Sequence, residues 1–98
     1  VVDMLNFGIM KGFGYPVTFD VTHALQLPGG LKDAADGRGF AVTDLALAGI
    51  SQKIAGLFLE THPDPSRAKC DGPCAIELYR VKSLLTKIKS LDKLVKNY

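Results

Sequence analysis

The sequence is poor in the features that mark membrane, extracellular or nucleic-acid-binding chains. No apolar run approaches the roughly 20 residues that span a bilayer, because Lys and Asp interrupt the hydrophobic stretches. The opening residues Val1-Val2-Asp3-Met4-Leu5 lack a basic region and a cleavage pattern, so they do not read as a signal peptide. The net charge of +2 is too small to argue for nucleic acid or an acidic membrane surface. Cysteine is scarce: Cys70 and Cys74, in Cys70-Asp71-Gly72-Pro73-Cys74, are too few for a disulfide framework. No His or Cys follows that pair, so it lacks the further ligands of a structural zinc site. Two reduced thiols are expected.

What is present is ordinary globular composition, 47% hydrophobic and 22% charged over 98 residues. Periodicity then divides the chain. Val1 to Lys11 carries Val1, Val2, Leu5, Ile9 and Met10 at helix-like intervals, and Gly12, Gly14 and Pro16 stop it. Val17-Thr18-Phe19-Asp20-Val21-Thr22 is β-branched and aromatic and reads as a strand ending at His23. Residues 26–39 hold Pro28, Gly29, Gly30, Gly37 and Gly39 with no ordering apolar face, and read as a mobile loop. A helix over Phe40 to Lys53 presents Val42, Leu45, Ala46, Gly49 and Ile50 on one face.

Ala55-Gly56-Leu57-Phe58-Leu59 is apolar throughout, as in a strand covered on both faces, and ends in Glu60, Thr61 and His62. A Pro-, Asp- and Gly-rich loop from Pro63 to Pro73 leads to the final helix. There Ile76, Tyr79, Val81, Leu84, Leu85, Ile88, Leu91, Leu94 and Val95 recur at three- and four-residue steps. The lysines between them read as a solvated face.

Helix, strand, helix, strand, helix is an α/β order in which two strands joined by a helix form a parallel unit. Two such strands need neighbours that this sequence does not hold. Val1 does not resemble a natural start, since Met4 lies inside an apolar stretch. The expectation is a 1–98 fragment of a single larger domain. A (β/α)8 TIM barrel takes about 250 residues, and two βα units ending in a long helix suit its C-terminal portion.

Polar residues fall where parallel α/β folds carry chemistry, at the carboxyl ends of strands. His23, Glu60 and Asp71 converge in this reading, and one imidazole with two carboxylates suits proton transfer or a divalent metal. The structural alternatives are a hydrogen-bonded strand-end His23, a Glu60 paired with a lysine and an Asp71 capping a turn. His62, in His62-Pro63-Asp64-Pro65, reads as a turn residue.

Three segments then carry a resemblance: Phe19-Asp20-Val21-Thr22-His23-Ala24-Leu25-Gln26, Gly56-Leu57-Phe58-Leu59-Glu60-Thr61-His62-Pro63-Asp64-Pro65, and Ala68-Lys69-Cys70-Asp71-Gly72-Pro73. With the opening Val1-Val2-Asp3-Met4, their order and spacing resemble the 3-deoxy-D-manno-octulosonate-8-phosphate synthases along essentially the whole chain. The related 3-deoxy-D-arabino-heptulosonate-7-phosphate synthases match less well. The resemblance implies a cytoplasmic, homotetrameric transferase of lipopolysaccharide biosynthesis that condenses phosphoenolpyruvate with arabinose 5-phosphate and releases phosphate.

It also implies roles. His23, Glu60 and Asp71 are the catalytic set, and the metal ligands in metal-dependent members. His23 and Gln26 touch substrate, and residues 26–39 form the active-site lid. Asp20 and Lys69 support the others. Cys70-Asp71-Gly72-Pro73 is similar to metal-independent members, whereas Leu27-Pro28-Gly29-Gly30 is similar to metal users; the expectation is no metal and no other cofactor. The phosphate-gripping lysines and arginine of the family have no counterpart in this sequence, so these residues alone are not expected to be active. The competing class is a non-catalytic helical interaction module built on Ala75 to Tyr98.

Overall fold

A computed structural model describes residues 1–27 and 36–98. Helix α1 spans Leu5–Lys11 and strand β1 spans Thr18–Asp20. Short strands β2 (Gln26–Leu27) and β3 (Asp36–Gly37) precede helix α2 (Val42–Ile50) and strand β4 (Gly56–Phe58). Strands β5 (Thr61–His62) and β6 (Ile76–Glu77) lead to helix α3 (Val81–Val95). The strands pair two by two: β1 with β4 in parallel, β2 with β3 antiparallel and β5 with β6 in parallel.

The α/β order is therefore as expected, and α2 joins the parallel pair β1–β4. Phe19, in the middle of β1, is buried with Val17 and Val21 on either side. Helix α2 buries Val42, Ala46, Gly49 and Ile50, four of the five positions picked out by periodicity. Gly49 has a specific reason to be glycine. A β-carbon there would drive into the Phe19 ring, 3.0 Å from Cε2, so only a bare Cα lets helix and strand come this close.

Helix α3 packs on α2 through Leu84 and Ile88, with Val95 also buried. Part of its apolar face is thus used inside the chain, while Leu85 and Leu94 stay exposed. The helix also starts later than periodicity suggests. Ile76 and Glu77 pair with Thr61 and His62, and a 3-10 turn over Leu78–Arg80 intervenes. Tyr79, counted in the apolar stripe, is consequently 80% exposed.

Three further expectations meet the structure. In α1 the periodic residues Leu5, Ile9 and Met10 are exposed, and the anchor is Phe7. Its ring meets Phe19 edge-on with centroids 4.9 Å apart. Strand β4 keeps one side open within this chain, for Phe58 is 49% exposed, in line with an apolar strand that needs neighbours this sequence does not hold. Residues 26–39 are not wholly irregular either. Gln26 pairs with Gly37 and Leu27 with Asp36, so the two arms of the segment form a narrow antiparallel ladder. The central part of the expected lid, residues 28–35, lies outside the described residues.

Candidate active site

The site forms where β1 and β4 run out. After Asp20 the chain leaves the extended conformation: Thr22 is helical, at φ −84° and ψ −62°, and His23–Leu25 make a 3-10 turn. One carboxylate organises this bend. Asp20 Oδ1 accepts the backbone N–H groups of Thr22 at 3.0 Å and His23 at 2.9 Å. Its Oδ2 lies 2.8 Å from His23 Nδ1. A single acid thus caps the turn and orients the ring.

The other ring nitrogen points at two further acids. His23 Nε2 is 3.0 Å from Asp71 Oδ2 and 3.7 Å from Glu60 Oε1. Asp71 arrives from the 68–74 loop in the left-handed conformation at φ 55°, a geometry that Asp tolerates better than most residues. Gln26 Nε2 donates to Asp71 Oδ1 at 3.1 Å, which ties β2 to the same carboxylate. The Phe58 ring lies 6.2 Å from the His23 ring, tilted by 31°.

Charge follows geometry. Hydrogen bonds to Asp20 and then Asp71 raise the His23 pKa, because both favour the imidazolium, and burial opposes them only in part. For Asp20 burial pushes upward but is outweighed by bonds from the His23 backbone and ring and the Thr22 backbone, so the net shift is downward. With Nδ1–H directed at Asp20, a neutral ring would aim a lone pair at Asp71. The protonated ring instead donates on both sides.

Each expected residue can now be located. His23, Glu60, Asp71, Gln26 and Asp20 come together, with ligand-type atoms of His23, Glu60 and Asp71 all within 4.8 Å of one another. One imidazole and two carboxylates at that spacing fit a divalent cation. Lys69 is exposed, and among the described residues no hydrogen bond or ion pair joins it to this cluster. His62, read as a turn residue, instead ends β5 opposite Glu77, and its Nδ1 accepts the Asp64 N–H of the turn that follows at 2.9 Å.

Thr22 was not singled out by the sequence. It is fully buried, and its hydroxyl oxygen accepts the Glu60 N–H at 2.7 Å. The available signal was its place, one residue before the strand-end histidine.

Comparison with known proteins places the chain in a family. The description of the DAHP synthetase I family matches residues 1–97. This chain belongs to that family. Within it, the chain is 67% identical over 98 residues to the 2-dehydro-3-deoxyphosphooctonate aldolase of Stutzerimonas stutzeri, covering 100% of the chain and 35% of the relative. The proteins of that name from Pseudomonas syringae pv. tomato and Pseudomonas aeruginosa are 66% and 65% identical over the same shares. The chain therefore spans about a third of the length of the curated relatives it matches, at 35%. Among the described residues no helix is long and apolar enough to cross a membrane.

Proposed function

We propose that this chain is the closing part of a (β/α)8 barrel, and that the complete protein is a 3-deoxy-D-manno-octulosonate-8-phosphate synthase. It would condense phosphoenolpyruvate with D-arabinose 5-phosphate and water, giving the eight-carbon sugar acid phosphate and inorganic phosphate. The observation that carries this reading is the convergence of His23, Glu60 and Asp71 at one end of β1–β4, in a chain 67% identical to a relative named for that activity. The barrel is supported by the two-stranded sheets and the half-exposed Phe58 on β4, since parallel sheets have their edges and faces covered in complete folds.

The chemistry sets what the residues do. The enol carbon of phosphoenolpyruvate attacks the sugar aldehyde, forming the carbon–carbon bond. Water adds to the cationic carbon left behind, and phosphate departs with its bridging oxygen by carbon–oxygen cleavage. A proton must leave the attacking water, and the new alkoxide must gain one. His23, held through Nδ1 by Asp20, turns Nε2 toward the reacting space. Asp71 and Glu60 orient the water and accept its proton, and Gln26 fixes Asp71.

The complete protein is read as metal-independent, on the sequence Cys70-Asp71-Gly72-Pro73. In a metal-dependent protein His23, Glu60 and Asp71 would hold the cation, which would supply Lewis-acid polarisation. Chelator treatment with metal analysis decides between them: unchanged turnover without bound metal is expected, and loss restored by a divalent ion refutes it. The protein is further read as a cytoplasmic homotetramer, with its two phosphorylated substrates and no nucleic acid or membrane as partners.

Phosphate release by the complete protein tests the assignment. Release from phosphoenolpyruvate should require arabinose 5-phosphate. A preference for erythrose 4-phosphate would move the protein to the heptulosonate branch of the family.

A further inference from the structure

We infer that Thr22 is a positioning residue for Glu60, acting through its buried hydroxyl; this rests on the active-site reading above. The parallel ladder of β1 and β4 ends with Val21 N–H donating to the Phe58 carbonyl at 3.0 Å. The next rung of an extended pair would bring the Glu60 N–H to a backbone carbonyl of β1. The chain has by then bent to aim His23, and the Thr22 side chain supplies the oxygen instead, at 2.7 Å. The Glu60 carbonyl accepts from Ile76 N–H at 3.1 Å on the other side. Glu60 is therefore clamped between the end of β1 and β6, with its carboxylate 3.7 Å from His23 Nε2.

The arrangement solves a local conflict. His23 needs the chain to turn after Asp20, whereas Glu60 needs β1 to continue as a template. A hydroxyl one residue before the histidine serves both demands. Thr22 is fully buried; its N–H serves Asp20, and its hydroxyl touches neither a reacting atom nor solvent, so the hydroxyl acts on catalysis through the Glu60 backbone.

The test compares Thr22→Val, which keeps the shape and removes the oxygen, with Thr22→Ser, which keeps the oxygen and removes the methyl. Turnover of phosphoenolpyruvate with arabinose 5-phosphate by the complete protein is measured beside melting temperature, with His23→Ala in parallel. The valine variant should lose about tenfold to a hundredfold in kcat at little-changed KM, as for a reacting group displaced by a fraction of an ångström. The serine variant should keep kcat within a few fold of wild type, whatever its melting temperature. Wild-type kcat in the valine variant, or equal losses in both variants, overturns the inference while an inactive His23→Ala leaves the site reading standing. A fully active His23→Ala removes the site reading and this inference with it. Should the valine variant not fold, Thr22→Ala against Thr22→Ser gives the same contrast: lower kcat for alanine supports it, and equal kcat refutes it.

Discussion

The dipeptide Thr-His occurs twice, at residues 22–23 after β1 and at residues 61–62 in β5, and its two copies do different things. The hydroxyl of Thr22 accepts from the Glu60 backbone, whereas the hydroxyl of Thr61 donates to the Ile76 carbonyl at 2.8 Å. The ring of His23 lies among three acids; the ring of His62 accepts a single backbone N–H. The Nδ1 atoms have opposite roles. At His23 it faces a carboxylate and carries the proton, and at His62 it accepts and leaves the proton on Nε2. The lesson is that the acid three residues before His23 makes the difference. Asp20 precedes the bend and can reach both the backbone and the ring; Asp64 follows His62 and serves its own turn through Ser66.

Substitutions can break this contrast, and the largest effect falls on His23. Replacing it with Ala in the complete protein should lower kcat by about a thousandfold with little change in melting temperature, as expected of a proton-transfer group placed for chemistry. Next come Asp71→Asn and Glu60→Gln, each expected to cost about a hundredfold in kcat because each removes one acceptor beside Nε2. Steady-state kinetics at saturating substrate measure both.

Asp20→Asn sharpens the comparison through pH. Asp20 is the foremost cause of the raised His23 pKa, so the variant should bring that pKa down, as followed by NMR of the ring. The stability consequence has a definite sign. The contribution of His23 is fully present below its unfolded value of about 6.5 and is lost as pH rises through the raised folded value. That of Asp20 is present above its unfolded value of about 3.9 and is lost as pH falls through the depressed folded value. The melting-temperature gap between wild type and Asp20→Asn should therefore be widest in the mildly acidic range and narrow on both sides. The smallest effect belongs to His62→Ala, which should leave kcat unchanged and move stability by under about 0.5 kcal/mol.

Much of this organisation was legible in the residues. The β-branched Val17–Thr22 segment and the apolar 55–59 segment became β1 and β4, and four of five face positions on α2 proved buried. His23, Glu60 and Asp71 could be named because parallel α/β folds gather functional groups at strand carboxyl ends and on the loops after them, and the family resemblance gave them their roles. What was not legible depended on contacts between distant segments. Phe7 anchors α1 only because Phe19 offers a ring edge to it. Ile76 leaves the helical pattern because Thr61 offers a pairing partner, a contact that no 3.6-residue period records. The Gln26–Gly37 pairing hid inside a glycine-rich stretch with no apolar face. Thr22 looked like one more β-branched strand residue until its hydroxyl met the Glu60 backbone. Lys69 had sequence adjacency to Asp71 but faces solvent.

The most direct test is a crystal structure of the complete protein with phosphoenolpyruvate bound. The ligand should lie against His23, Glu60 and Asp71, with His23 Nε2 within hydrogen-bond reach of it or of one intervening water, about 3 Å. Phosphoenolpyruvate bound at the opposite end of β1 and β4, with His23 touching neither it nor its water, would contradict the account.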